Sequence, residues 1–211
     1  MTLQIASANP PRIVGPLYAT ATQGEPFACT VLVQNASSFW ADPLPDGLLS
    51  DSATGIISGI PTTNGAFSVF LSASDGAIGF DWQELVLWIR PPYTTWLTDS
   101  GFTPEEQNNA AIGGEDADPD GDGMLNRNEF IAGTDPLDPD DALRLSLSFQ
   151  NGALSLAWPG RENRRYAIQQ SDTLTSGFTV MTNDIHAVFP STEISMPASR
   201  PTAFFRIHVQ E

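Results

Sequence analysis

Short runs in which every second residue is apolar limit the folds that this chain can adopt. Three such runs near the N-terminus are Phe27-Cys29-Val31-Val33, Phe67-Val69-Leu71-Ala73 and Leu85-Leu87-Ile89. A period of two places the apolar side chains of a run on one face of a β-strand. Glycine-containing clusters typical of turns separate these runs, at Asp46-Gly47, Asn64-Gly65 and Asp75-Gly76. The pattern predicts a mainly β chain whose first domain, residues 10–90, is an antiparallel β-sandwich.

The C-terminal third of the chain shows the same alternation. Apolar residues alternate from Leu143 to Phe149 and again from Leu154 to Trp158, on either side of Asn151-Gly152. This arrangement predicts a β-hairpin on a type I′ turn. Further alternating runs are Tyr166-Ile168-Gln170, Phe178-Val180 and Phe205-Ile207-Val209. We therefore predict a second antiparallel β-sandwich over residues 142–211.

Between these two regions lies a strongly acidic segment. From Glu105 to Asp141 there are twelve acidic residues and one basic residue, Arg127, in a chain whose net charge is -16. The stretch from Asp118 to Glu129 has the spacing D-x-D-x-D-G-x5-E, which is the EF-hand calcium-loop pattern. Calcium is a hard cation that takes six to eight oxygen ligands, and this stride supplies them from one short loop.

The loop positions identify the predicted calcium ligands. They are the carboxylates of Asp118, Asp120 and Asp122, the backbone carbonyl of Met124, the side chain of Asn126 directly or through a water, and both carboxylate oxygens of Glu129. Gly123 permits the sharp turn of the loop. A solvated acidic loop without metal is the alternative interpretation. Whether Asp116 or Asp135 adds to the metal shell is left open, because an Asp-Pro pair forms a turn equally well.

Helix signals flank the loop. Thr103-Pro104-Glu105-Glu106 combines an N-cap threonine, a proline at the first position and a capping-box glutamate, and we expect its helix to run to about Ile112. Asn126 can cap a second short helix that ends at Gly133. The fold class predicted is two antiparallel β-sandwich domains joined by a short helical EF-hand-like segment over residues 91–141. Residues 1–9 are predicted to be an N-terminal extension.

Aromatic residues precede the acidic loop. Trp96, Leu97 and Phe102 are expected to form a small hydrophobic anchor for the calcium-binding segment, with a tryptophan platform for sugar stacking as the alternative.

Three parts of the chain resemble known families. Leu44-Pro45-Asp46-Gly47-Leu48, then Thr54-Gly55-Ile56-Ile57-Ser58-Gly59-Ile60-Pro61, resembles the Ig-like (cadherin-like) domains of bacterial surface proteins, which are commonly spacers. Residues 116–141 resemble the thrombospondin type 3-like calcium repeats of bacterial extracellular proteins. The C-terminal region is similar to modules that follow such repeats. Dockerin domains carry a related calcium loop but normally contain two of them packed as a pair. This sequence contains one such loop, which disfavours a dockerin.

Several function classes are disfavoured by composition. All nine basic residues are arginines, so lysine chemistry is excluded and a basic face for nucleic acid is missing. The chain contains no run of about 18 apolar residues, so a membrane span is not predicted. Cys29 is the one cysteine and is expected to be a small core residue. We expect no enzyme activity. His186 and His208 lie far apart in sequence, and Asp81 and Glu84 are explained as polar strand positions, with nothing else in the sequence to indicate a glycosidase pair.

The sequence therefore predicts a non-catalytic, calcium-binding structural or adhesive protein, secreted or at the cell surface. Candidate partners are calcium, neighbouring copies, other surface proteins and polysaccharide. The alternative function is a carbohydrate-binding accessory region of a secreted polysaccharide-degrading enzyme, which an aromatic row on one exposed face would favour. The acidic segment is expected to be a loose hinge without calcium and a rigid strut with it.

Overall fold

A computed structural model of the protein describes residues 9–150, 152–175, 177–197 and 203–210. The predicted N-terminal extension therefore lies almost wholly outside the described residues, as does Asn151 of the predicted type I′ turn. The chain forms two compact units, and the boundary falls between Pro92 and Tyr93. Unit 1 precedes this boundary and unit 2 follows it, so the acidic segment shares a unit with the C-terminal strands. The fold is mainly β and contains several sheets.

Among its described residues, unit 1 contains strands and no helices. They are β1 (Arg12–Gly15), β2 (Tyr18–Thr22), β3 (Phe27–Thr30), β4 (Leu32–Gln34), β5 (Ser38–Asp42), β6 (Leu48–Ser50), β7 (Ile56–Gly59), β8 (Gly65–Ser74) and β9 (Phe80–Arg90). A four-stranded sheet has the order β2-β9-β8-β5, a three-stranded sheet has the order β3-β7-β6, and β1 pairs with β4. All of these pairs are antiparallel except β2 with β9, which is parallel and departs from the predicted antiparallel pattern.

The core of unit 1 follows the alternation seen in the sequence. Val69, Leu71, Leu85, Leu87 and Ile89 lose all solvent exposure, and each occupies an inward position of β8 or β9. The run from Phe27 to Val33 also keeps its alternation, although it is divided between β3 and β4. Cys29 has a free thiol whose pKa is raised by burial, but it is half-buried and lies outside the core cluster, so it is less deeply buried than predicted. Period-two patterning was therefore a sound guide to which side chains face inward.

Two glycines of the Ig-like pattern have a steric function. Gly47 has a φ of 91° and Gly59 a φ of 143°, a region that other residues rarely adopt. A Cβ atom at Gly47 would collide with the carbonyl of Ile60, and one at Gly59 would collide with the carbonyl of Gly47. The backbone therefore passes too close at this point for any side chain.

Unit 2 begins with helices and continues with strands. The elements are α1 (Tyr93–Asp99), α2 (Pro104–Gln107), α3 (Asn126–Ala132), β10 (Ser146–Gln150), β11 (Ala153–Pro159), β12 (Arg165–Ser171), β13 (Thr179–His186), β14 (Ser191–Pro197) and β15 (Phe204–Val209). The strands form two antiparallel sheets with the orders β10-β11-β14 and β13-β12-β15. None of the helices in the described part of the chain has the length and apolar character needed to cross a bilayer.

The helix predicted from Thr103 begins where expected but ends early. Both capping-box hydrogen bonds between Thr103 and Glu106 are present. The helix stops at Gln107 rather than Ile112, because the two asparagines that follow bond to nearby backbone groups: Asn108 donates to the Pro104 carbonyl, and Asn109 accepts from the Ala111 amide. Local side-chain bonds of this kind compete with helix continuation. Helix α1, which was not predicted, lies immediately upstream.

Unit 2 has a core that joins its helical and strand regions. Leu156, Trp158, Tyr166 and Ile168 are buried at its centre, and Ala132 of α3 belongs to the same cluster. Met124 and Ile131, also from the acidic segment, pack against it. Because this segment shares its core with the C-terminal strands, a hinge between the two is not expected.

Candidate metal centre

Three of the predicted ligands come together in the loop. One carboxylate oxygen from each of Asp118, Asp120 and Asp122 lies within 4.8 Å of the other two. Backbone amides hold these side chains in place: Gly121 and Gly123 donate to Asp118, the Asp122 amide donates to Asp120, and the Met124 amide donates to Asp122. Gly121 and Gly123 have φ values of 76° and 96°, so glycine permits the tight path of the loop. The loop thus directs three carboxylates toward one small volume.

Glu129 lies near this cluster as a fully buried carboxylate. It is the fourth residue of α3 and has no exposed surface. Its Oε1 atom accepts a hydrogen bond of 3.3 Å from Thr134 Oγ1, while Oε2 is buried and accepts none. The pKa of its carboxyl is raised from 4.5 to about 7 by burial first, and then by the negative charges of Asp120 and Asp122. Unlike the three aspartates, it is not within the 4.8 Å group.

The buried acceptors of the segment lack donors. Among the described residues, Oδ2 of Asp120, Oδ2 of Asp122, Oδ1 of Asn126 and Oε2 of Glu129 are buried without a hydrogen-bond partner. Buried polar atoms are nearly always satisfied, since leaving one unpaired costs about 1–3 kcal/mol. All four atoms are oxygens, which are the ligands that calcium prefers. The donor set therefore fits a hard cation.

Asn126 has a different structural role from the one predicted. Its amide nitrogen donates to the carbonyls of Ile112 and Gly114, at 2.7 Å and 2.9 Å. It therefore binds the chain that enters the loop to helix α3. The N-cap of α3 is Leu125, which has no side-chain oxygen, so the prediction that Asn126 caps this helix was wrong. Contribution of its Oδ1 atom to a metal stays a prediction.

The remaining candidate ligands, Met124, Asp116 and Asp135, each make contacts with other residues of unit 2. Met124 packs against the unit 2 core, and its Sδ atom accepts from the Leu143 amide at 3.2 Å; metal binding by its carbonyl stays a prediction. Asp116 is exposed and forms an ion pair with Arg127. Asp135 accepts a hydrogen bond from the Leu137 amide, which is the arrangement of an Asx turn. These contacts favour a pairing role for Asp116 and a turn role for Asp135.

An aromatic cluster packs against α3 through Phe130. Phe130 contacts Tyr93 and Trp96 edge-on, with ring centroids 5.5 Å and 5.4 Å apart. Leu97 and Phe102, from the same stretch of the chain, are also buried. Trp96 is partly buried and packs on Tyr93 and Phe130, which favours the anchor interpretation over an open stacking platform. Helix α3 ends at Gly133, which has a φ of 77°, as the sequence predicted.

Arginines from the C-terminal region bind the acidic segment. Arg164 is mostly buried, and its Nε atom donates to the Ile131 carbonyl at 2.6 Å, near the end of α3. Arg161 pairs with Asp141, and Arg144 donates to the Asp122 carbonyl at 3.3 Å. The cluster of Arg161, Arg164 and Arg165 could be interpreted from sequence as a solvated loop or as a group that docks on the acidic segment, and Arg161 and Arg164 dock. Arg165 instead pairs with Asp184 inside its own sheet.

Thr134 and Arg144 were missed as members of this site. Thr134 is buried and donates to Glu129, whereas Arg144 Nη2 lies 3.8 Å from Asp122 Oδ2. Thr134 belongs to the Gly-Thr-Asp-Pro stretch after α3, which was a usable sequence signal. Arg144 lies 22 residues beyond Asp122, and no local pattern identifies such a contact.

The residues considered for catalysis do not come together. Asp81 faces inward, where it accepts from the Ile13 amide at 2.8 Å, while Glu84 is exposed on the opposite face of β9. The two carboxylates therefore cannot flank one glycosidic bond. His186 and His208 are exposed residues of β13 and β15, on either side of β12.

The raised pKa of Glu129 gives a testable dependence on pH. Between pH 4.5 and about pH 7, Glu129 keeps its proton in the folded metal-free protein but releases it in the unfolded chain. Unit 2 should therefore lose stability as the pH rises through this interval. The pKa of Asp120 is also raised, by burial, and acts in the same direction. Thermal unfolding of dialysed, metal-free protein measures this dependence. Glu129→Gln should flatten it, whereas Glu105→Gln, an exposed control, should not; an unchanged slope in Glu129→Gln would contradict the assignment.

One family model matches most of the first unit. Residues 10–81 match the family model described as Putative Ig domain. This region forms an Ig-like domain. No curated protein matches the chain significantly in sequence.

Solved structures give only distant similarity. Two chains from Bacteroides fragilis NCTC 9343, titled as a putative alpha-galactosidase/melibiase and a putative alpha-galactosidase, share 33% and 34% identity over 38% and 42% of this chain, each with a TM-score of 0.36. This chain spans 17% and 19% of their lengths. The SrpA adhesin from Streptococcus sanguinis has 13% identity, with 85% of this chain and 94% of that one covered, at a TM-score of 0.35.

Proposed function

We propose that this protein is a non-catalytic extracellular building block whose second unit is stabilised by one calcium ion. Asp118, Asp120 and Asp122 supply carboxylates, and Glu129 supplies a further one from α3. The observation that supports this most is the buried Oε2 atom of Glu129, which has no donor and lies near three gathered aspartates. A calcium ion would satisfy these oxygens and offset the repulsion between the carboxylates.

The proposed role of calcium is structural. The ion would fix the loop against α3, and α3 shares the core of the C-terminal strands through Ala132. We interpret the larger two sheets of unit 1 and the two sheets of unit 2 as β-sandwiches, with the loop and its short helices as an EF-hand-like insertion in unit 2. Calcium loops of extracellular modules bind with a Kd of about 10⁻⁴–10⁻³ M, which suits a secreted or surface protein. The Ig-like domain is consistent with a spacer or adhesive role there.

Calorimetry of calcium binding to metal-stripped protein tests the proposal. We expect one site with a Kd of roughly millimolar or tighter, because the loop resembles weak extracellular sites. Glu129→Ala should weaken binding at least about tenfold, since it removes the bidentate ligand of the pattern. Glu105→Ala removes an exposed carboxylate of the same segment and should leave binding unchanged. Absence of heat at millimolar calcium, or full binding by Glu129→Ala, would refute the site.

A further inference from the structure

The four-stranded sheet of unit 1 has an outer face rich in exposed aromatic side chains. Trp40, Phe70, Trp82 and Phe80 retain 53%, 57%, 64% and 72% of their surfaces exposed. They lie on three adjacent strands, β5, β8 and β9, at positions where the side chains point away from the core. Contiguous exposed apolar surface on a soluble domain usually marks an interaction site.

Strand register arranges these residues in rows. Trp40 and Trp82 both pair with Ser72, so a serine lies between two tryptophans. In the next row Asp42 and Glu84 both pair with Phe70, so two carboxylates flank a phenylalanine. Two strand spacings separate Trp40 from Trp82, which is about 10 Å. A ligand that reaches both tryptophans therefore has to be longer than a single sugar ring.

The polar groups of this face are hydrogen-bond acceptors and hydroxyls. Glu84 accepts a hydrogen bond from Ser68, which restrains its carboxylate on the sheet. Up to Pro92 the chain has seven acidic residues and two arginines, Arg12 and Arg90. Arg90 lies at the end of β9, over the ring of Trp88. Charge therefore disfavours an anionic ligand on the rows that contain Asp42 and Glu84.

We propose that this face binds a neutral polysaccharide. A pyranose ring has an apolar C–H face, which can pack on the aromatic rings, and an edge of hydroxyl groups, which can donate to Asp42 and Glu84. A protein partner of apolar character would bury both carboxylates without cations, at high cost in desolvation. The mixture of exposed aromatic rings with carboxylates and serines thus matches a polyhydroxylated ligand better than a protein surface. The site contains no residue of the calcium segment, so its test is separate from that of the metal.

Affinity electrophoresis and calorimetry with the full chain test this proposal. The probes are mixed-linkage β-glucan, xyloglucan and galactomannan, with polygalacturonate and heparin as anionic controls. At least one neutral polymer should bind and the anionic polymers should not. Trp40→Ala and Trp82→Ala should each weaken binding roughly tenfold, as removal of a stacked ring would. Phe149→Ala is the matched control, since Phe149 of unit 2 is 64% exposed, like Trp82, and should bind normally.

Three results would overturn the proposal. The first is no retention by any neutral polymer, and the second is binding that survives the Trp40→Ala/Trp82→Ala double variant. The third is a dimer, measured by light scattering, that Trp82→Ala dissociates without any effect on polysaccharide, which would make a second copy the occupant. Thermal unfolding of the variants shows that any loss of binding is not a loss of fold. Calorimetry is repeated with chelator, so that failure of the calcium site cannot be mistaken for failure of this one.

Discussion

Removal of calcium should loosen residues 113–141 and destabilise unit 2. A ligand that binds only the folded state stabilises it by about 2.7 kcal/mol when it is present at a hundredfold excess over its Kd. Without the ion, the carboxylates of Asp118, Asp120 and Asp122 repel one another, and Glu129 adds its charge above its pKa of about 7. Helices α2 and α3 span four and seven residues, too short to hold in isolation. Their order therefore depends on the loop and on the unit 2 core.

Hydrogen exchange measured with calcium and with chelator tests this expectation. Amides of residues 113–141 should exchange faster in chelator, with a smaller increase in β11 and β12, which share the core with α3. Glu129→Gln should exchange like the chelated wild type even in calcium, while Glu105→Gln should remain protected. Identical exchange of the wild-type segment in the two conditions would show that calcium does not order it.

Replacing Trp158 with alanine should destabilise unit 2 by about 3–5 kcal/mol, the usual cost of removing a large buried aromatic side chain. Trp158 is 1% exposed and contacts Tyr166 edge-on at 5.5 Å. Its indole N–H is buried without an acceptor, so loss of that group offsets part of the cost. Because α3 packs in the same cluster, calcium affinity should fall as the folded population falls.

Chemical denaturation and calcium calorimetry of the same variants measure both effects. Leu87→Ala is the matched control: Leu87 is fully buried in the unit 1 cluster, so the variant should lose about 2–5 kcal/mol in unit 1 and keep its calcium affinity. Trp158→Phe retains an aromatic ring and should cost less than Trp158→Ala. Normal stability of Trp158→Ala would contradict the packing role assigned to this residue.

Much of the fold could be predicted from local pattern. Alternation identified β8 and β9 and their inward residues, because burial on one face of a strand imposes a period of two. The gathering of Asp118, Asp120 and Asp122 was predictable for a similar reason, since a twelve-residue loop brings its own members together. Capping by Thr103 was predictable because both partners lie within one helical turn.

Other features depend on contacts between distant parts of the chain. The parallel pairing of β2 with β9 and the placement of Trp40 and Trp82 on either side of Ser72 are set by strand register across more than 40 residues. The docking of Arg164 on α3 spans 33 residues. Helix α1 was missed because its seven residues include two consecutive threonines, which have low helix propensity, and its burial depends on tertiary packing. Local sequence spacing does not predict contacts between residues so far apart in the chain.

The close approach of Gly47 and Gly59 has a consequence for how this domain can vary. A new side chain at either position would meet backbone, and no substitution at the other glycine could make room, since no residue is smaller. The pair therefore admits no compensating change, in nature or in a randomised library. Diversity has to accumulate elsewhere, on surfaces such as the outer face of β5, β8 and β9, where side chains project into solvent. A scaffold restricted in this way can acquire a new ligand without any redesign of its interior.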